Sequence, residues 1–215
     1  MTSSRFLVAT LNPGKARELS GLLGGLPYEL VTPPELGITS APPEEGRTLE
    51  ENATAKALYY HRLSGLLTLA EDSGLEVEAL GGEPGVRSAR FAGDWASDGD
   101  NIRLLLHRLA GVPPEKRRAR FRCVMAVVAC GSTLGLFTGQ CPGIITTELR
   151  GQAGFGYDPV FLVPEIGQTF SQISAEVKNR LSHRVGAAKE AACFLCDIMN
   201  HSGAPTTLKP PVGTP

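Results

Sequence analysis

Apolar and polar positions alternate along this chain with two distinct periods. "RFLVAT", residues 5–10, is a short apolar run of the kind a buried strand presents, and Ala16, Leu19, Leu22 and Leu23 then recur at helical spacing. "YELVT" is a second strand candidate. "PPELGITSAPPEEG", residues 33–46, is rich in Pro and Gly and reads as a long loop. Thr48 and Glu51 form a capping-box pattern that opens a helix through about Leu63. "LLTLAEDSGLEV", residues 66–77, predicts a strand ending in Glu71 and Asp72, a tight turn at Ser73 and Gly74, and a second strand in which Leu75, Val77 and Ala79 alternate with acids. "GGEPG", residues 81–85, predicts a loop, and Asp98 to Leu109 a helix with Ile102, Leu105, Leu106 and Leu109 on its apolar face. "RARFRCVMAVVAC" and "LGLFTGQC" predict two long strands in a hairpin turning near Gly131 and Ser132. "RGQAGFGYDP", residues 150–159, is a Gly-rich loop, and Val185 to Asn200 an amphipathic helix. Strands that alternate with helices early and pair as a hairpin later predict an α/β fold with a mixed, partly antiparallel sheet. Residues 1–201 then form a single domain, and 202–215, with four prolines and few apolar anchors, a disordered tail.

Composition narrows the functional classes. The chain has 215 residues, 42% hydrophobic and 20% charged, enough for a sizeable core in one domain or two closely packed lobes. A formal net charge of −1 argues against a nucleic-acid polymer as partner, but a small anion needs only a local basic cluster. No run approaches the roughly 20 apolar residues of a membrane span, and the N-terminus does not read as a signal peptide. Five cysteines without framework spacing predict a reduced, cytoplasmic protein. "CFLC", residues 193–196, resembles a redox or half-zinc motif but falls in a helical pattern without a second pair.

Candidate chemistry lies in the loops that leave the strands. "ATLNPGKARE", residues 9–18, runs from a strand through a Gly-containing turn into a helix, where N–H groups and the helix dipole attract anions. Thr10 and Asn12 supply donors and Lys15 a charge; equally, the stretch is an ordinary connection with an Asn cap and Pro at the first helical position. A carboxylate such as Asp72 facing an anion site calls for a cation between them, and Mg²⁺ fits, with Glu44 in reach of the same ion. Solvated acids are the competing reading. Lys56 shares a helix face with Asn52. In "GFGYDP", Phe155 or Tyr157 can stack on a planar base while Gly154 and Gly156 allow close backbone approach. "KNRLSHR" crowds Lys178, Arg180, His183 and Arg184 ahead of a helix, as a clamp for oxygens or as a solvated basic patch. Together these elements specify a site for a nucleoside triphosphate.

The stretches "ATLNPGKARE", "EEGRTLEENATAKA", "AEDSGLEVEALGGEPGVRSARFAG", "ARFRCVMAV", "GFGYDPVF" and "KNRLSHR" occur in one order over residues 5 to about 200. In them the chain resembles the inosine/xanthosine triphosphate pyrophosphatases, enzymes of non-standard purine nucleotides. The resemblance implies an elongated mixed α/β fold of two lobes with the active cleft between them, a homodimer, and Mg²⁺ dependence. It implies hydrolysis of ITP, dITP and XTP to the monophosphate and pyrophosphate. By similarity, Thr10, Asn12, Gly14, Lys15 and Lys56 bind the triphosphate. Asp72 is the catalytic carboxylate and, with Glu44, a metal ligand; Ser73 lies beside it at the substrate. Phe155, Gly156, Tyr157 and Asp158 surround base and sugar, and Lys178, His183 and Arg184 complete the base pocket. Glu71 stands where bacterial members commonly carry Asp. The rival readings are a nucleotide-binding regulator without turnover and a Maf-like pyrophosphatase acting on modified pyrimidines.

Overall fold

A computed structural model describes residues 4–201 of the chain; the predicted 202–215 tail lies outside them. One mixed sheet runs through the molecule in the order β2-β1-β3-β5-β6-β7-β8. Its strands are β1 (Ser4–Val8), β2 (Tyr28–Val31), β3 (Leu67–Val77), β5 (Arg118–Ala129), β6 (Ser132–Ile145), β7 (Phe161–Val163) and β8 (Gln168–Thr169), while β4 (Pro84–Gly85) pairs with β3 alone. β1 pairs in parallel with β2 and β3; from β3 to β8 every pairing is antiparallel. The helices are α1 (Pro13–Leu23), α2 (Leu49–Ser64), α3 (Asp98–Arg108), α4 (Ala175–Leu181) and α5 (His183–His201).

The predicted helix starts rest on real caps. The Asn12 side chain accepts from the N–H groups of Gly14 and Lys15 at 2.8 and 3.1 Å, with Pro13 in the first turn. Thr48 Oγ1 accepts from Glu51 N at 3.1 Å, but the Glu51 carboxylate takes the N–H of Arg47, so the box is displaced by one residue. The β5–β6 hairpin turns through Cys130 and Gly131, both at positive φ, as two-residue hairpins require. Cys193 and Cys196 lie on α5, as the helical pattern predicts.

The turn expected at Ser73 and Gly74 does not exist. β3 is one unbroken strand of 11 residues, in continuous register with β5 from Thr68 opposite Val128 to Val77 opposite Ala119. Asp72 is therefore mid-strand, not at a strand end. Gly74 serves a close approach instead of a turn: a Cβ there would lie 2.3 Å from the carbonyl oxygen of Gly85 in β4. Two acids can sit inside a buried strand because each is compensated by cations, as described below.

Half of the sheet is covered on both faces. α1 and α5 close one face over Phe6, Val8, Leu69, Cys123, Met125 and Val127; α2 closes the other over Leu7, Ala70, Val124, Ala126 and Val128. The far ends of β3, β5 and β6 pack with α3 and Tyr157, Phe161 and Phe170 into a third cluster. β5 is central, so the stretch 118–130 offers little free surface: residues 123–128 are buried, and Arg118, Arg120 and Cys130 are its exposed residues. Among the described residues no helix is long and apolar enough to cross a membrane.

Candidate active site

Successive side chains of a strand point to opposite faces, so the adjacent acids of β3 serve different neighbours. Glu71 enters the α1/α5 face. Its carboxylate accepts from Arg184 Nε at 2.8 Å and Nη2 at 3.1 Å, from Lys15 Nζ at 2.9 Å, and from the thiol of Cys123. Asp72 enters the α2 face, where Asn52 Nδ2 donates to its Oδ2 at 3.0 Å and Lys56 Nζ lies 3.9 Å from its Oδ1. Both carboxylates are buried, yet their proton affinities diverge. Burial raises both; for Glu71 the charges of Arg184 and Lys15 outweigh burial and hold it well below the usual range. For Asp72 burial wins over Lys56 and Lys15, and its pKa is raised.

The long loop before α2 delivers Glu44 to the same place. Lys56 Nζ bonds Glu44 Oε1 at 2.7 Å, and Arg90 holds Glu44 Oε2 at 2.9 Å and its carbonyl oxygen at 2.6 Å. Burial pushes the Glu44 carboxyl up, but the Lys56 charge and hydrogen bond bring it below its ordinary value. Glu44 and Asp72 thus converge on one ammonium, which also touches the carbonyl oxygen of Glu71 at 3.3 Å. This is a set of hard oxygen donors arranged around a cation. Among the described residues there is no cluster of three His, Cys, Asp or Glu side chains that could cage a metal. Two carboxylates fit Mg²⁺, which keeps waters and substrate oxygens as its remaining ligands, better than ions held entirely by protein.

On the other face an alternating chain of charges runs from Lys15 through Glu71, Arg184, Glu18 and Lys178 to Asp158. Arg184 Nη1 and Lys178 Nζ each lie 2.9 Å from a Glu18 oxygen, and Lys178 Nζ is 2.6 Å from Asp158 Oδ2. Arg184 also donates to Ser73 Oγ at 3.0 Å. Lys178, His183 and Arg184 are buried, so for these three the solvated patch is excluded; Arg180 is exposed and pairs with Glu176. Lys178 belongs to α4, and His183 and Arg184 open α5 two residues earlier than the apolar pattern predicts. The Phe155 ring lies over both cations, 4.6 Å from Lys178 Nζ and 5.5 Å from the Arg184 guanidinium carbon. Tyr157 is packed into the third core cluster and donates its hydroxyl to Ser88 O, so Phe155 has the freer ring of the two. Asp158 accepts from Phe155 N and thereby shapes the glycine loop.

One cleft is lined by Asn12, Lys15, Ser73, Phe155, Gly156, Tyr157, Asp158, His183 and Arg184, together with Gly74, Ser88, Asp98 and Phe121. Thr10 is buried just behind it and accepts from Asn12 N. Gly14 touches Phe155: a Cβ there would lie 2.8 Å from that ring. Glu44, Asp72 and Lys56 stand on the α2 side of β3, next to Ser73. His183 stacks on Phe121 at 4.8 Å, and neither ring nitrogen has a hydrogen-bond partner among the described residues. Burial, then the charge of Arg184, holds its pKa well below 6.5, so the ring is neutral.

The Ham1 family model matches residues 6–194. The chain belongs to the Ham1 family. Its similarity to a protein of Desulforamulus reducens named dITP/XTP pyrophosphatase is 46% identity, covering 92% of this chain and 98% of that one. A protein of the same name from Methylococcus capsulatus is 50% identical, over 89% of this chain and 96% of that one. Among solved structures, the HAM1 protein of Coxiella burnetii matches with a TM-score of 0.81 at 34% identity, covering 90% of this chain and 99% of its own. The Ham1 protein of Staphylococcus aureus matches at 0.79 and 37% identity, with the same coverage. The mixed α/β architecture expected for the chain is thus that of solved Ham1 structures.

Four further residues at this site carry no assignment from the sequence: Glu71 and Glu18 as counter-charges, Arg90 on Glu44, and Asp98, whose carboxylate accepts from Gly156 N at 2.7 Å. Glu18 was within reach, since it lies one helical turn after Lys15. Arg90 and Asp98 carry no local signal; only the fold brings them to the cleft.

Proposed function

We propose that the protein hydrolyses non-standard purine nucleoside triphosphates, ITP, dITP and XTP, to the monophosphate and pyrophosphate. The observation that carries this is the joining of an oxygen-donor cation site on Glu44 and Asp72 to a cation-lined cleft roofed by Phe155. Its Ham1 relatives named dITP/XTP pyrophosphatase support the same reading. Lys15, Lys56 and the start of α1 hold the phosphates, and Phe155 packs against the base. Glu44 and Asp72 would hold Mg²⁺, which supplies charge neutralisation at phosphate oxygens when bound. Asp72 orients a water and takes its proton as the water oxygen bonds to the α-phosphorus and the bond to the β-phosphate oxygen breaks. Of the two acids of β3, Glu71 is clamped by Arg184 and Lys15, which leaves Asp72, beside Glu44, as the proton acceptor.

Base choice follows from unpaired groups. The Arg184 guanidinium is committed to Glu71, Glu18 and Ser73, whereas His183, in the cleft wall, has a buried ring N–H with no partner among the described residues. Donation from His183 to a purine 6-oxo group satisfies both partners; an adenine amino group leaves that donor unpaired, which costs about 1–3 kcal/mol. We further assign the enzyme to the cytoplasm, on its free cysteines, and to a homodimer, on the exposed Leu134 and Leu136 of β6. A panel of ITP, dITP, XTP, ATP, GTP and dUTP, each with and without Mg²⁺, tests the function. Pyrophosphate from ITP, dITP and XTP, only with Mg²⁺, is expected. Preference for dUTP would favour a pyrimidine enzyme, and release from none of the six would contradict turnover.

A further inference from the structure

We propose that Asn52 is a positioning residue that ties the loop carrying Glu44 to the carboxylate of Asp72 through the two ends of one carboxamide. The inference rests on the reading of Glu44 and Asp72 as metal ligands. Asn52 sits in the first turn of α2 and is 2% exposed. Its Oδ1 accepts from Gly46 N at 2.8 Å, two residues after Glu44, and its Nδ2 donates to Asp72 Oδ2 at 3.0 Å. This amide orientation is the one that satisfies both neighbours; a flipped amide would face its NH₂ to an N–H and its oxygen to a carboxylate. Gly46 leaves no room for drift, because a Cβ there would lie 2.4 Å from Asn52 Oδ1.

The geometry has a consequence for the acid. With Oδ2 engaged by Asn52, Asp72 presents Oδ1 toward Lys56, whose ammonium also holds Glu44. Asn52 and Lys56 lie one helical turn apart, so α2 sets both the acid's rotation and the loop's distance. Asp, Ser or Leu at this position cannot do both, since the role needs a neutral side chain with a donor at one end and an acceptor at the other. Residues that orient a ligand from behind typically affect metal affinity about 10- to 100-fold.

Two variants approach the contact from opposite ends. Asn52→Leu keeps the branched shape and removes both polar ends; Gly46→Ala crowds the same seat from the loop, and carries the test if the first fails to fold. The probe is Mn²⁺, titrated into nucleotide-free protein and followed by paramagnetic resonance, which reads affinity and stoichiometry separately. Both variants are expected to bind Mn²⁺ about 10-fold or more weakly with unchanged stoichiometry. The Mg²⁺ concentration for half-maximal pyrophosphate release should rise in step, while KM for ITP at saturating Mg²⁺ changes less than about threefold. A lower melting temperature with wild-type Mn²⁺ affinity would show a merely structural Asn52 and overturn the proposal. Asp72→Asn serves as reference. If it leaves wild-type Mn²⁺ binding intact, the metal reading itself fails and this inference with it.

Discussion

Glu71 holds Arg184 through two N–H groups and Lys15 through a third contact, and its side chain has no exposed surface. Removing one partner of a buried pair leaves the other charge uncompensated, at a cost of about 3–5 kcal/mol. Glu71→Gln should therefore destabilise the fold by several kcal/mol in urea unfolding and weaken ITP binding, since Arg184 and Lys15 lose their common anchor. Unchanged stability and KM would contradict that role. Asp72→Asn should act differently: turnover falls about 100-fold or more while stability changes little. The division could not be read from "AEDSG", because adjacent letters do not say which face each side chain takes. Asp72 stood out from its company, whereas the role of Glu71 depends on partners 56 residues before and 113 residues after it in the chain.

At the level of elements, α5 brings His183 and Arg184 to the cleft because β6 lets it approach. A Cβ on Gly139 would lie 2.1 Å from the carbonyl oxygen of His183 and 2.7 Å from Ala187 N, both backbone atoms that cannot rotate away. Gly139→Ala should displace the start of α5, cost about 1–3 kcal/mol of stability and raise KM for ITP. A KM equal to wild type would show that the helix tolerates the shift. Periodicity and caps made α1, α2, α3, α5 and the β5–β6 hairpin legible, since each rests on local chemistry. β3 was misread for a related reason. Two acids followed by Ser-Gly look like a local turn, and the forces that keep them in a strand are ion pairs to α1, α2 and α5.

The whole molecule places the site between the half of the sheet covered by α1, α2 and α5 and the end built around α3 and Tyr157. Asn12, Lys15, Ser73, Phe155 and Arg184, each in a distinctive stretch of the resemblance, line one cleft. The charge chain that connects them was not legible in the sequence, because it is a property of packing. That packing carries a pH signature. Above about pH 6.5 His183 is neutral whether the chain is folded or unfolded, and its full contribution is present. As the pH falls below 6.5 the unfolded chain gains a proton that the buried ring refuses, so stability declines, by up to about 1.4 kcal/mol per pH unit. Glu71 adds a second loss in the acid range, below its ordinary pKa of 4.5. Urea unfolding at about pH 7.5 and 5.5 should show the decline in wild type and a smaller one in His183→Gln; equal declines would mean that His183 is not the group responsible.

The chemistry proposed for the cleft is attack of water at the α-phosphorus of a non-standard purine triphosphate. Hydrolysis of ITP in ¹⁸O-labelled water, with mass analysis of the products, tests it most directly. Labelled IMP and unlabelled pyrophosphate in equal amounts are expected. Label in the pyrophosphate, or IDP with free phosphate, would place the attack elsewhere and contradict the assignment.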